Sequence, residues 1–214
     1  MKKNKLKIFI VLVLSLTNIF AQKSEATLFF RNGHVKNGFA SIIKSENKIK
    51  FKHNKKSKPV KYDFRTLKKI IIEETEYEYK ILKRGSKPKI LKLIVRGDLS
   101  LYSIDEAIQA PIPVVGVAQT VGNLSASLTV GAGIPLGMTS SYYVSKKESS
   151  HLAHKITTKS RPKSKLFKNK KQKIVASSFF KRCQHIINKI WFNNLKGKDM
   201  IQLVEYYNND CNLK

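Results

Sequence analysis

The sequence predicts an α+β fold, a small antiparallel β-rich body followed by an antiparallel helical hairpin. Three observations carry this. From Thr27 to about Thr157 apolar and polar side chains alternate mostly with a period of two, the mark of half-buried strands. Gly, Asn and Pro stand between these runs, where regular pairing has to stop. Beyond about residue 174 the period changes to about 3.6, the repeat of a helix with one apolar face.

In chain order, strands are expected at 27–31, 35–43, 48–53, 59–63, 67–73, 76–83, 89–95 and 98–104, with a further one in "SSYYVSKKE" from Ser140 to Glu148. Asn32-Gly33 marks a hairpin, because both residues tolerate positive φ. "HNKKSKP" (His53 to Pro59) reads as a solvated loop and "RGSKP" (Arg84 to Pro88) as a turn.

The stretch from Thr27 to Ile72 runs through an apolar strand, a turn glycine, a second glycine, two further strands and a closing isoleucine-rich strand. This layout resembles a small Sm-like or SH3-like barrel, which implies barrel geometry for these residues. The RNA-contacting residues of the Sm family do not carry over, since "FRTLKKI" stands where an Arg-Gly pair would be. Nucleic acid is not an expected partner.

The first residues, "MKKNKLKIFIVLVLSLTNIFAQ", place four lysines before an apolar core from Ile8 to about Leu16, then a polar break and Ala21. That is the plan of a secretory signal peptide, with cleavage expected after Ala21. The core is shorter than the roughly 20 residues a membrane-spanning helix needs. The expected organisation is a signal peptide at 1–21, a β-rich domain at 22–158 with a low-complexity insert at about 107–139, a basic linker at 159–173 and a helical hairpin at 174–214. Export would place the protein in the periplasm, the cell envelope or the exterior.

Losing Lys2, Lys3, Lys5 and Lys7 lowers the formal charge from +28 by four, to +24. Such a charge attracts polyanions in a salt-sensitive way. Of the 42 basic residues only six are arginine, the residue suited to gripping phosphate with two parallel hydrogen bonds, which argues against a dedicated nucleic-acid site.

No charged side chain occurs from Ala107 to Ser145. Within it, Val114 to Ile134 is free of proline but carries four glycines and several polar groups, a poor membrane helix. In "LSASLTV" the residues Leu124, Ala126, Leu128 and Val130 alternate with Ser125, Ser127 and Thr129, a strand pattern. The expectation is an excursion, flexible or weakly β, whose flanks "DLSLYSI" and "SSYYVSKKE" pair as a hairpin with a greatly lengthened loop. Closure entropy grows only logarithmically, so the added length costs little.

Residues 159–173, "KSRPKSKLFKNKKQK", hold eight basic groups in fifteen and no acid. Such a block is expected to be a solvated linker. Its functional alternative is a polyanion-binding arm formed by Lys163, Lys165, Lys168, Lys170, Lys171 and Lys173, with Leu166 and Phe167 as an apolar contact. Acidic polysaccharide or an anionic membrane surface would then be the partner, in place of an envelope or extracellular protein.

After this, Ala176, Phe179, Phe180, Cys183, Ile186, Ile187 and Ile190 form one stripe, predicting a helix from Val175 to Phe192. "NNLKG" breaks it, and Met200, Leu203, Val204 and Tyr207 resume the pattern from Asp199. Cys183 and Cys211 both fall on apolar stripes. In an exported chain with only two cysteines, a Cys183–Cys211 disulfide is the expected state.

The segments "IFAQ", "VRGDLSLY", "YYVSKKE" and "FFKRCQHIINKI...LVEYYNNDC" resemble a group of exported proteins of flavobacteria and related bacteria. The resemblance covers most of the mature chain and implies location and architecture, not an activity. Its sharpest part is the ending, an aromatic pair, Cys183, a helix, then Tyr206, Tyr207, Asn208 and Cys211. Gln184 stands where that group often has proline.

His151 and His154 are three apart on a strand-like stretch and face opposite ways, which does not suit joint metal binding. Cys183 and His185 diverge on a helix. Glu74, Glu76 and Glu78 alternate with Tyr77 and Tyr79, the polar face of a strand. The chain contains no phosphate loop, nucleophile elbow or His-Glu-x-x-His motif. A non-catalytic protein without cofactor or metal is expected.

Overall fold

The computed structural model describes residues 24–110, 134–149, 151–157 and 165–211. The expected signal peptide, the middle of the uncharged stretch and Lys163 lie outside the described residues. The fold is α+β, with ten antiparallel strands followed by C-terminal helices. The chain divides into two compact units: residues up to Tyr79 with Pro88–Ile90, and Lys80–Lys87 with everything from Leu91 onward. The division therefore falls inside the β-rich region.

In the first unit, β1 (Ser24–Phe30), β2 (Val35–Ile43), β3 (Lys48–Lys52) and β4 (Val60–Tyr62) form a meander. β5 (Leu67–Ile72) then returns to pair with β1, and β6 (Thr75–Lys80) pairs with β5, giving the order β6-β5-β1-β2-β3-β4. The alternation read from the sequence sets which residues go inward. Ala26 and Leu28, and Ile49 and Phe51, are buried in alternation, while Leu67 and Ile70, three apart, both reach the core where the register of β5 against β1 shifts between Phe29 and Phe30.

The hairpin at Asn32-Gly33 forms as expected, with Gly33 at φ 86° and the Phe30 amide donating to the His34 carbonyl at 2.9 Å. β1 and β4 are not neighbours in the sheet, yet the rings of Phe30 and Tyr62 meet edge to face with centroids 5.1 Å apart. The meander is thus strongly curved. The five-strand order with β5 beside β1 accords with a barrel-like layout, but the order leaves β4 at an edge, and barrel closure is not part of the fold described.

In the second unit, β7 (Lys89–Val95), β8 (Leu99–Ala110), β9 (Ile134–Lys146) and the short β10 (His154–Lys155) follow in sequence order. β8 and β9 pair from Leu99↔Lys146 to Ala110↔Ile134. The flanks of the uncharged stretch do form a hairpin, and the ladder takes in both ends of that stretch, so 107–110 and 134–139 belong to strands and not to an insert. Pro135 sits where the register shifts, between Ile108 and Gln109, because a residue without an N–H cannot continue a regular ladder.

Three helices follow: α1 (Lys170–Phe179), α2 (Gln184–Phe192) and α3 (Asp199–Tyr206), which runs into a π-helical turn, Tyr207–Cys211. The single helix expected from Val175 to Phe192 is two. The chain turns at Phe180–Cys183, where the Phe180 amide donates to Ser177 and the Cys183 amide to Phe180. Phe180 and Cys183 stay buried through this turn, so the apolar spacing continues across a break that periodicity cannot detect. Leu99, Leu101 and Val144 of the strands and Ala176, Phe180, Ile186, Ile190, Met200 and Val204 of the helical segment share one core.

The basic segment also departs from expectation where it is described. Leu166 and Phe167 are 1% and 2% exposed and belong to that core, and α1 begins at Lys170. The charge count concealed two anchors. The Leu166 amide donates to the Leu195 carbonyl at 2.7 Å, and the Leu166 carbonyl accepts from the Thr157 hydroxyl at 3.0 Å. With the Leu166 amide and carbonyl both satisfied, the Leu-Phe pair can be buried despite the lysines around it.

Candidate functional site

Three places gather chemically capable side chains: the C-terminal closure, the lysine-rich surface of the same unit and a groove in the first unit. In the closure, Cys183 and Cys211 form a disulfide with Cα atoms 5.4 Å apart. Cys183 stands at the N-cap of α2 and Cys211 ends the π-turn, so the bridge ties the start of one helix to the end of the chain described. Within the same turn Tyr207 packs edge to face on Phe180 with centroids 5.5 Å apart.

Next to it, Asn208 reaches the first residue of β8. Its Nδ2 donates to the Leu99 carbonyl and its Oδ1 accepts from the Leu99 amide, both at 3.0 Å. A side-chain amide here supplies the donor and the acceptor that a neighbouring strand would otherwise give. The fit requires a glycine at 97, because a Cβ there would collide with the Asn208 amide. Reading the sequence alone missed Asn208 and Gly97 as partners. Both lie in segments that carried the resemblance, "VRGDLSLY" and "YYNNDC", yet no local signal joins residues 109 apart.

Of the lysines proposed for polyanion binding, Lys165, Lys168, Lys170 and Lys171 are exposed. Lys173 is different. Its ammonium donates to the Trp191 carbonyl at 2.7 Å and lies 5.8 Å from the centre of the Trp191 ring. It thereby satisfies one of the last carbonyls of α2 and sits at the negative end of that helix. The structure thus gives Lys173 a structural partner and leaves the other four on the surface. α1 itself starts cleanly: Asn169 Oδ1 accepts from the Gln172 amide at 2.9 Å, and Gln172 Oε1 accepts from the Lys168 amide at 2.7 Å. A bridge between Lys165 and Lys196 sets a further exposed lysine opposite the first.

In the first unit a groove of about 1210 Å³ is lined by Glu25, Thr27, Asn37, Phe39, His53 and Glu73, among others. Among the described residues no three His, Cys, Asp or Glu side chains are grouped to hold a metal ion, so the groove has no metal-ligating set. The acidic strand β6 behaves as a polar face, with Glu76 3.1 Å from Lys69 and Lys69 opposite Glu78 in register. His154 stacks against Phe179 with ring centres 5.7 Å apart.

Two tyrosines have raised pKa values. Burial pushes the Tyr79 hydroxyl up to about 12, with the charge of Asp63 adding to it. Burial also raises Tyr142, with Asp105 adding and the Ser140 hydroxyl opposing. Both shifts are what packing a phenol away from water beside a carboxylate produces.

No family model matches the chain, and neither a curated protein nor a solved structure does. The functional reading therefore rests on the residues themselves.

Proposed function

We propose that the chain is an exported, non-catalytic protein acting as an interaction module in the cell envelope or outside the cell. The Cys183–Cys211 disulfide carries this reading, because such bridges persist in oxidising compartments and are reduced in the cytosol. It is supported by the signal-peptide plan of the first 21 residues and by the resemblance of the C-terminal two-cysteine region to exported flavobacterial proteins. Among the described residues no helix is long and apolar enough to cross a membrane.

The test is intact mass spectrometry of the protein recovered from its native cell. A chain starting at Gln22, two hydrogens lighter than its reduced form and found in envelope or medium, is the expected result. Full-length reduced chain in the cytosol overturns the reading.

A second reading, binding of a polyanion or charged surface, draws on one observation. Between Glu148 and Asp199 the chain has no acidic residue and 14 basic ones. Replacing Lys168, Lys170 and Lys171 by glutamine should weaken retention on an acidic polysaccharide column. Unchanged retention removes this reading and leaves the first.

A further inference from the structure

We propose that the exposed end built by α1 and the last residues of α2 is a docking surface for anionic lipid bilayers. This rests on the surface-binding reading and commits it to one partner, and the observations that carry it are which side chains stay outside. Ile174, Val175 and Phe192 are 53%, 37% and 84% exposed, and they are among the few large apolar side chains at the surface among the described residues. Leu166 and Phe167, the apolar pair inside the basic segment, are withdrawn into the core and cannot serve.

The exposed apolar residues are not scattered. On α1, Ile174 lies four residues after Lys170, and Val175 four after Lys171, so each apolar side chain neighbours a lysine on the same outward face. The inward face is marked by Ala176, which is fully buried. Lys173 fastens α1 to the end of α2 through the Trp191 carbonyl. Lys173 and Trp191, whose hydrogen bond joins α1 to the end of α2, immediately precede Ile174 and Phe192 in the chain. Lys165, before α1, and Lys196, in the loop after α2, are joined by a backbone bridge and both exposed, with the Asp199 carboxylate accepting from the Lys196 amide at 2.8 Å.

A polysaccharide would need cations and polar donors only. Apolar side chains left in water beside cations suit an interface in which lysines meet anionic headgroups while Ile, Val and Phe enter the acyl boundary. Lysine stems help, since they lie along apolar surface while the ammonium stays in water. The 50 residues between Glu148 and Asp199 hold no acid, so this stretch itself sets no carboxylate against the headgroups.

The experiment uses the oxidised mature chain with vesicles of equal parts phosphatidylglycerol and phosphatidylcholine, pure phosphatidylcholine vesicles, and heparin. Trp191, the only tryptophan, adjoins Phe192 and reports insertion directly. The expected result is binding to the anionic vesicles alone, a blue shift of Trp191 emission and quenching by lipids brominated near the headgroup. Lys168→Gln with Lys170→Gln and Lys171→Gln should weaken vesicle binding roughly a hundred-fold. Ile174→Ser with Phe192→Ser should weaken it about ten-fold and leave heparin retention unchanged. These positions are exposed, and far-ultraviolet circular dichroism of each variant verifies the fold.

Heparin retention with no vesicle binding, or vesicle binding indifferent to the serine pair and without Trp191 quenching, overturns the lipid proposal while sparing the polyanion reading. Loss of both heparin and vesicle binding in the wild-type chain sinks the two together.

Discussion

The two compact units hold themselves together by different means. In the first, most strands pair with their sequence neighbours and the core is the inward half of a largely alternating pattern, with two longer reaches: β5 returns to β1, and the Asn47 side chain holds the Pro88 carbonyl and the Ile90 amide. In the second, the decisive links join distant residues: the Cys183–Cys211 bridge, the Asn208 amide on Leu99, and Lys173 on the Trp191 carbonyl. A meander specifies itself locally, whereas a helical segment with buried anchors among many lysines has to be tied down.

The largest effect expected is in the first unit's core. Leu28 is fully buried, and Leu28→Ala should cost roughly 2 to 5 kcal/mol by removing apolar contact and leaving a cavity. Urea unfolding should show a similar loss in oxidised and reduced protein, since the leucine does not depend on the bridge. A loss confined to the oxidised form would show that the first unit's core depends on the bridge.

Reducing Cys183–Cys211, which closes a separation of 28 residues, should destabilise the second unit by roughly 3 to 4 kcal/mol in the chain-entropy treatment. Trp191 emission is the probe, because this residue lies in α2, whose start carries the bridge, and is itself the partner of Lys173. If the Trp191 transition stays in place after reduction, packing alone closes the unit.

Asn208→Ala should cost about 1 to 3 kcal/mol, because the Leu99 amide and carbonyl both lose a partner while Leu99 remains buried. Amide exchange at Leu99 should accelerate before any other β8 position. Equal exchange in variant and wild type would mean that water replaces the side chain without penalty.

Asn169→Ala removes the cap of α1 and should cost about 1 kcal/mol. Loss of helix signal confined to the first turn of α1 is the outcome that fits a local cap.

The smallest effect is alkaline. Tyr79 titrates near 12 in the folded chain against an ordinary 10.0, so the folded state favours its protonated form. Its contribution is complete below pH 10 and is lost as pH rises towards 12. Tyr79→Phe should therefore gain on the wild type over that window, and parallel midpoints would show that Tyr79 is too accessible to matter.

Much of the architecture was legible from residue order. Alternation placed the strands of the first unit to within a few residues, since burial of one sheet face leaves a period of two in the chain. The pairing of Cys183 with Cys211 followed from count and chemistry. The surface was harder to read. A run of eight basic groups in fifteen looked like a solvated linker, yet Leu166 and Phe167 inside it are core residues and Lys173 is a helix fastener.

By itself, the sequence determined the fold class, the hairpin flanking the uncharged stretch and the two-cysteine staple, because each is written in local period, turn chemistry or cysteine number. Only the tertiary structure decided that Asn208 meets Gly97 and Leu99, that one apparent helix is two, and which apolar residues of the basic region remain outside. These depend on contacts between residues far apart in the chain, and neither periodicity nor composition carries that information.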